Sequence, residues 1–247
     1  MIKLDNTICL VTGAGSGIGR AIAVQLAEAG GMVVAADRDI DNARDTAAAS
    51  TGRIVARYVD VTEHAAVSEL RDGVLKDLGV PKVLVNSAGW DRIEPFMDNT
   101  REFWEEVVAI NYLGPVEVCR SFLEPMISLG EGGKVVNIAS DAGRVGSTGE
   151  TVYAGAKGGV VAFTKSLARE VARFKINVNC VCPGPTDTPL FKAQPDKIKE
   201  ALTRAIPFRR IAKPEEVAGA AVFFASDMAS FVTGQVLSVS GGLTMVG

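Results

Sequence analysis

Seven short runs rich in Val and Ile, at residues 7–12, 32–36, 53–59, 82–86, 134–140, 176–182 and 235–239, alternate with longer segments of helical period. Those segments fall at 18–29, 40–49, 63–78, 101–129, 152–174 and 214–226. Alternation of this kind implies a parallel sheet with helices on both faces. Right-handed connections then restrict the topology to a doubly wound α/β sheet. Ala, Val, Leu and Ile supply most of the apolar residues, as strands covered on both faces require. No composition shift, linker or repeat divides the chain, so residues 1–247 are expected to form one domain around a seven-stranded parallel sheet. One long irregular stretch, 183–207, holds five of the ten prolines and leaves the carboxyl edge of the sixth strand. Its length and position predict a substrate lid.

Several classes of function do not fit. The formal charge is −3 with acids and bases mixed, whereas nucleic-acid binders carry a basic field. No apolar run reaches the roughly 18 residues of a membrane span, and acids and amides interrupt the N-terminus where a signal peptide needs an apolar stretch. These features predict a cytoplasmic protein with no membrane or nucleic-acid partner. Cys9, Cys119, Cys180 and Cys182 have neither redox-pair nor zinc spacing and read as buried thiols, so no metal is expected. Cys180 and Cys182 should face one side of a strand. His64 is the sole histidine and lies in a polar stretch, with no serine elbow to build a hydrolase upon.

The first strand runs straight into Thr12-Gly13-Ala14-Gly15-Ser16-Gly17-Ile18-Gly19 and then a helix. Glycines let a backbone turn tightly against a pyrophosphate, and a helix N-terminus offers that anion free N–H groups. In this context the motif predicts a dinucleotide site and a Rossmann-type fold. Asp37 ends the second strand, where an acid accepts hydrogen bonds from the adenosine ribose and repels a 2′-phosphate. It favours NAD over NADP, although Asp37 also reads as a helix cap and Arg38 as a phosphate partner. Asp60 and Val61, after the third strand, and Asn86, Ala88 and Gly89, ending the fourth, lie where the cofactor should run. On spacing alone each reads equally as a turn or cap.

Tyr153 and Lys157 are four apart in a helical segment and share a face. A phenol is a poor base at neutral pH, and a neighbouring ammonium would bring it toward the working range. Ser140, ending the fifth strand, could hold a substrate oxygen, and Asn111 could anchor a water near Lys157. Taken singly, the Tyr/Lys pair also reads as a surface pair and Asn111 as a kink or cap.

Together TGAGSGIG, NSAG, Asn111, Ser140 and Tyr153-x-x-x-Lys157 resemble the short-chain dehydrogenase/reductase family, and the likeness extends to Pro183-Gly184 and the C-terminal SVSGG. The resemblance implies that Tyr153 takes the alcohol proton as hydride passes to a nicotinamide. It also implies that Lys157 lowers the phenol pKa and binds the nicotinamide ribose, that Ser140 positions the oxygen and that Asn111 supports a proton relay. Pro183, Gly184, Thr186 and Thr188 would lie toward the carboxamide side of the cofactor. Ser87 stands where most such proteins have Asn, which puts in doubt a hydrogen bond steadying the central sheet. Paired long helices, and from them a homotetramer, are implied too. Trp90-Asp91, NIASDAGRVGSTGE and VCPGPTDT are similar, within the family, to enzymes that oxidise 2-hydroxycyclohexanecarboxyl-CoA to its 2-ketone. The stretch 183–207 matches less well, so a 1-arylethanol or its ketone stays open as substrate.

By position, Trp90, Asp141 and Arg144 line the substrate pocket, Arg144 meeting a polar end and Trp90 a ring. The plainer reading makes Arg144 a solvated loop charge and Trp90 a core plug. Three functions therefore compete. The first is an NAD-dependent dehydrogenase interconverting a small-molecule secondary alcohol, free or as a CoA thioester, and its ketone. An NADPH-dependent 3-oxoacyl reductase would share the same catalytic residues, but Asp37 and a glycine loop without a base argue against it. A nucleotide-sensing scaffold would have no need of Ser140, Tyr153 and Lys157 together.

Overall fold

A computed structural model describes residues 2–50 and 53–246. Its single sheet has the order β3-β2-β1-β4-β5-β6-β7, with every neighbouring pair parallel. The strands are β1 (Ile8–Thr12), β2 (Met32–Asp37), β3 (Ile54–Tyr58), β4 (Val83–Asn86), β5 (Gly133–Ile138), β6 (Ile176–Pro183) and β7 (Val236–Val239). Helices α1 (Gly17–Glu28), α2 (Ile40–Ala48) and α3 (His64–Asp77) connect the first four strands. Next come α4 (Arg101–Val108) and α5 (Gly114–Leu129) before β5, then α6 (Ala142–Val145) and α7 (Thr151–Val171) before β6. The short α8 (Pro189–Lys192), α9 (Asp196–Ala205) and α10 (Pro214–Ala225) lie between β6 and β7. This is the expected doubly wound Rossmann-type domain.

Alternation along each strand divides the core into two layers. Cys9 and Val11 face a layer shared with Ile22 and Leu26 of α1 and Val217, Ala221 and Phe224 of α10. Leu10 faces the opposite layer, with Val74 of α3, Phe122 and Met126 of α5 and Val171 of α7. Cys180 and Cys182 do share one side of β6, buried, with sulfurs 3.9 Å apart. His64 begins α3, exposed, and bonds Glu117. Among the described residues no helix is long and apolar enough to cross a membrane, and no cluster of His, Cys, Asp or Glu could hold a metal ion.

Strand order reverses between β1 and β4, which opens a crevice at their carboxyl ends. The central strands are tied there by buried polar groups. Asn86 Nδ2 donates to Asn137 Oδ1 at 2.8 Å, and Asn137 Nδ2 donates to Thr164 Oγ1 on α7 at 2.9 Å. The Ser87 backbone N–H donates to Thr12 Oγ1 at 3.3 Å, a link between the end of β4 and β1 that owes nothing to the Ser87 side chain.

Two expectations about local structure need correction. The segment 101–129 is not one uniform α-helix, because a π-turn, Ala109–Leu113, separates α4 from α5. Pro115 has no N–H for the carbonyl four residues back, and the Gly114 N–H reaches back five residues to Ala109 O. The stretch 183–207 is not irregular either, since it contains α8 and α9. Two of its five prolines start helices rather than break them: Pro189 is the first residue of α8 and Pro195 precedes α9.

Phe122 is the largest fully buried side chain. Phe122→Ala is expected to cost about 3–5 kcal/mol through the cavity it leaves, measured as a lower urea midpoint at unchanged m-value.

Candidate active site

A cavity of about 720 Å³ runs along the crevice from the glycine turn to the start of α7. Gly13 has φ +66°, and a Cβ there would lie 2.6 Å from Ala88 Cα. A Cβ on Gly19 would lie 2.1 Å from the Gly13 carbonyl oxygen. Both positions exclude side chains, so α1 starts directly against β1. Its N-cap, Ser16, makes no side-chain cap and no acid occupies the first turn, which leaves backbone donors facing the cavity.

Asp37 Oδ2 accepts from the Gly15 N–H at 2.8 Å and Oδ1 from the Asp39 N–H at 2.9 Å. The carboxylate is thus fixed at the cavity wall with Arg38, which is exposed. Asp60 and Val61 form the next part of the wall, where Asp60 Oδ1 also accepts from Thr62. Ser16, Gly17, Ile18, Ala88, Gly89, Pro183, Gly184, Thr186 and Thr188 complete it. These residues fit a dinucleotide: a side-chain-free turn, unpaired helix donors and a fixed acceptor follow one another along the crevice. Asn86 does not reach the cavity. It is buried behind it, with its Nδ2 donating to Asn137 and Cys119.

At the other end Tyr153, Lys157 and Ser140 converge. Lys157 Nζ donates to the Ile138 carbonyl at 3.0 Å and lies 5.6 Å from the centre of the Tyr153 ring. Ser140 lies two residues beyond β5, not within it; its hydroxyl takes the Ala142 N–H at 3.1 Å and faces the phenol. A side chain on Gly89 would come 3.3 Å from Lys157 Nζ and 3.1 Å from Asn111 Oδ1, so Asn111 adjoins the lysine. The Asn111 side chain is wholly engaged, however. Its Oδ1 accepts from the Trp90 N–H at 3.2 Å, and its Nδ2 donates to Val107 O and Trp90 O.

The electrostatics differ from the simple expectation of a lysine lowering a phenol pKa. Burial, with the charges of Glu150 and Asp91, pushes the Tyr153 phenol well above its ordinary value, and the Ser140 hydroxyl only partly opposes this. Burial also brings Lys157 down from 10.5 to about 8. The protein alone therefore keeps the phenol protonated and holds a lysine whose charge is easily lost.

Asp141 lines the cavity as expected, whereas Arg144 does not, and both are tied into a network of their own. Arg144 pairs with Asp141 at 3.1 Å and reaches the Val246 carbonyl in the C-terminal tail. The other Asp141 oxygen takes the hydroxyls of Ser238, at 2.7 Å, and Thr244. This network ties α6 to β7 and the tail. Trp90 does line the cavity, packed edge-on to Phe103 at 5.8 Å, so it is both wall and part of a small apolar cluster. Residues not singled out from the sequence complete this end: Ile93, Val145 and Glu150, with Leu190 of α8 and Leu202 of α9. Glu150 stands three residues before Tyr153, a spacing that marks it as a neighbour on the same helix face. Leu190 and Leu202 had no such signal, because the prolines around α8 and α9 obscure those helices in the sequence.

A family model described as enoyl-(acyl carrier protein) reductase matches residues 13–244. The chain is similar to the (3R)-3-hydroxyacyl-CoA dehydrogenase of Mus musculus, at 38% identity over 99% of this chain and 98% of that one. It is also 36% identical to the 3-oxoacyl-(acyl-carrier-protein) reductase FabG of Thermotoga maritima, over 99% of this chain and all (100%) of that one. Among solved structures it resembles one described as ribose-5-phosphate isomerase from Brucella melitensis 16M, with a TM-score of 0.92 and 38% identity, covering 99% and 95% of the two chains.

Keeping Lys157 charged in this site opposes folding. Its folded pKa lies below the unfolded value, so the penalty is full below about pH 8 and vanishes as pH approaches 10.5. Lys157→Met is expected to raise stability at pH 7 by on the order of 2 kcal/mol. Denaturant melts from pH 7 to 10.5 should show that gain shrinking.

Proposed function

The chain belongs to the short-chain dehydrogenase/reductase family, and from that premise we propose that it is an NAD-dependent oxidoreductase interconverting a ring-bearing secondary alcohol and its ketone. One observation carries this reading: Ser140, Tyr153 and Lys157 converge at one end of a cavity whose other end is the glycine turn and Asp37. A scaffold that only sensed nucleotide would have no use for the hydroxyl and phenol at that end.

The glycine turn and the first turn of α1 would hold the pyrophosphate, Asp37 the adenosine ribose, and Asp60 and Val61 the adenine edge. Lys157 would hold the nicotinamide ribose, and Gly184, Thr186 and Thr188 the carboxamide side. When bound, the nicotinamide supplies hydride acceptance or donation at carbon. Ser140 holds the substrate oxygen beside the phenol, and Tyr153 takes or returns the hydroxyl proton. The phenol's elevated pKa gives the sign: alcohol oxidation, which needs phenolate, rises with pH, and ketone reduction, which needs phenol, is favoured as pH falls. Asn111 is a positioning residue in this reading, clamping the Trp90 backbone beside Lys157.

The fixed Asp37 carboxylate supports NAD, since a 2′-phosphate would meet like charge. Trp90, Ile93, Val145, Leu190 and Leu202 support an apolar, ring-bearing substrate such as 2-hydroxycyclohexanecarboxyl-CoA or a 1-arylethanol. A second reading, a 3-hydroxyacyl or 3-oxoacyl thioester as substrate, is favoured by the relatives named for those compounds. A groove lined by Leu123 and Ile127 of α5 and Phe163 and Leu167 of α7 supports pairing of these helices between copies, and with it the homotetramer.

Turnover should be sought with NAD on ring-bearing secondary alcohols and 3-hydroxyacyl chains, each free and as the CoA thioester. Tyr153→Phe is expected to lower kcat by about 10²–10⁴-fold while NADH still binds by fluorescence. Turnover that survives the substitution would overturn the mechanism.

A further inference from the structure

Two carboxyl groups beside the phenol have no part in the reaction described above. Asp91, in the turn after β4, is 5% exposed, and both of its oxygens are shielded from solvent. Neither carries a well-formed hydrogen bond from an N–H or O–H of the described residues; the Arg92 N–H gives only weak relief. The group that Asp91 does face is the carboxyl of Glu150. Glu150 is the N-cap of α7, lines the cavity, and lies one turn from Tyr153. The Gly149 carbonyl accepts from the Glu94 N–H at 3.0 Å, which holds the two segments together.

Two bare carboxylates cannot share such a place without a cation. Among the described residues none pairs with either. Arg92 is turned to Glu94, at 2.9 Å, and over the Phe103 ring. Lys157 Nζ donates its hydrogen bond to the Ile138 carbonyl and makes no salt bridge among the described residues. A single proton between the two carboxyls satisfies both, one donating as the acid and the other accepting as the anion.

We infer that Asp91 and Glu150 share one proton, and that the negative charge of this pair is a positioning element for the acid/base step, holding the catalytic proton on Tyr153. The second half rests on the reading of Tyr153 as the acid/base. Burial and the charge of Glu150 raise Asp91 to about 7, and burial raises Glu150 as well. The groups facing Tyr153 are Glu150 and Lys157 from its own helix, Asp91 from the turn after β4, Ser140 from beyond β5 and Cys182 from β6. Both carboxylates push the phenol upward. Asp91 also helps Lys157 keep its proton, but this is the weakest of the influences on that lysine.

The test uses the protein without substrate. Difference infrared spectroscopy follows the C=O stretch of a protonated carboxyl, and near-ultraviolet absorbance, with Tyr153→Phe subtracted, follows the phenolate. In the wild type one carboxyl should lose its proton near pH 7 (about 7 for Asp91). In Asp91→Asn that step should be gone, and in Glu150→Gln it should fall by about one pH unit or more. The double variant should ionise Tyr153 at a pH lower by about one unit, and Glu150→Asp should restore wild-type behaviour. A purely structural role would leave the phenolate titration unmoved. Glu150 is only half-buried, so Glu150→Gln carries the test should Asp91→Asn not fold. No protonated carboxyl above pH 6 in the wild type, or an unshifted phenol, overturns the inference. Absent turnover with both titrations as expected would instead count against the oxidoreductase reading.

Discussion

The near-contact between Gly19 and the Gly13 carbonyl oxygen sets the positions of the groups around it. With no side chain at either point, α1 begins where β1 ends, and its unpaired N–H groups face the crevice opened by the reversal of strand order. Gly13 also lies flat against Ala88, which brings the ends of β1 and β4 together. From this junction the cavity runs one way to the ends of β2 and β3, and the other way across β4 and β5 toward the start of α7. Asp37 locks the opposite side by accepting the Gly15 N–H, so the turn and the carboxylate form one rigid unit.

Further along the crevice, burial is the dominant influence on the titrating groups. It lowers the lysine and raises the phenol, and the neighbouring acids add to the second effect rather than the first. Lys157 is therefore better described as a group held in place by the Ile138 carbonyl than as the tuner of Tyr153. The site also stores its constraints in the backbone. Pro115 lacks a helical donor just after the π-turn, and Asn111 within that turn bonds the Trp90 backbone, which leads into Asp91.

Most of the architecture was legible in the chain because alternation and the glycine turn are local patterns with a direct physical reading. Tyr153 and Lys157 could be paired from their spacing, and Asp37 from its place at the end of β2. What escaped depended on partners far away in sequence. Arg144 looks like a pocket residue until Ser238, Thr244 and Val246 from the tail bring Asp141 and Arg144 into their own network. Asn86 looks like a cofactor residue until Asn137 and Cys119 absorb its amide. Helices α8 and α9 were obscured because proline both starts helices and breaks them. Glu150 and Asp91 were each in view, but their encounter across 59 positions was not.

If the glycine turn and Asp37 act as one rigid unit, the adenosine end should discriminate strongly between the two dinucleotides. Titrating the wild-type protein with NADH and with NADPH, by nicotinamide fluorescence at equal ionic strength, tests this without any knowledge of the substrate. The account predicts NADH binding tighter by about tenfold or more, equivalent to roughly 1.4 kcal/mol. Equal affinities, or tighter NADPH binding with Arg38 turned inward, would contradict it.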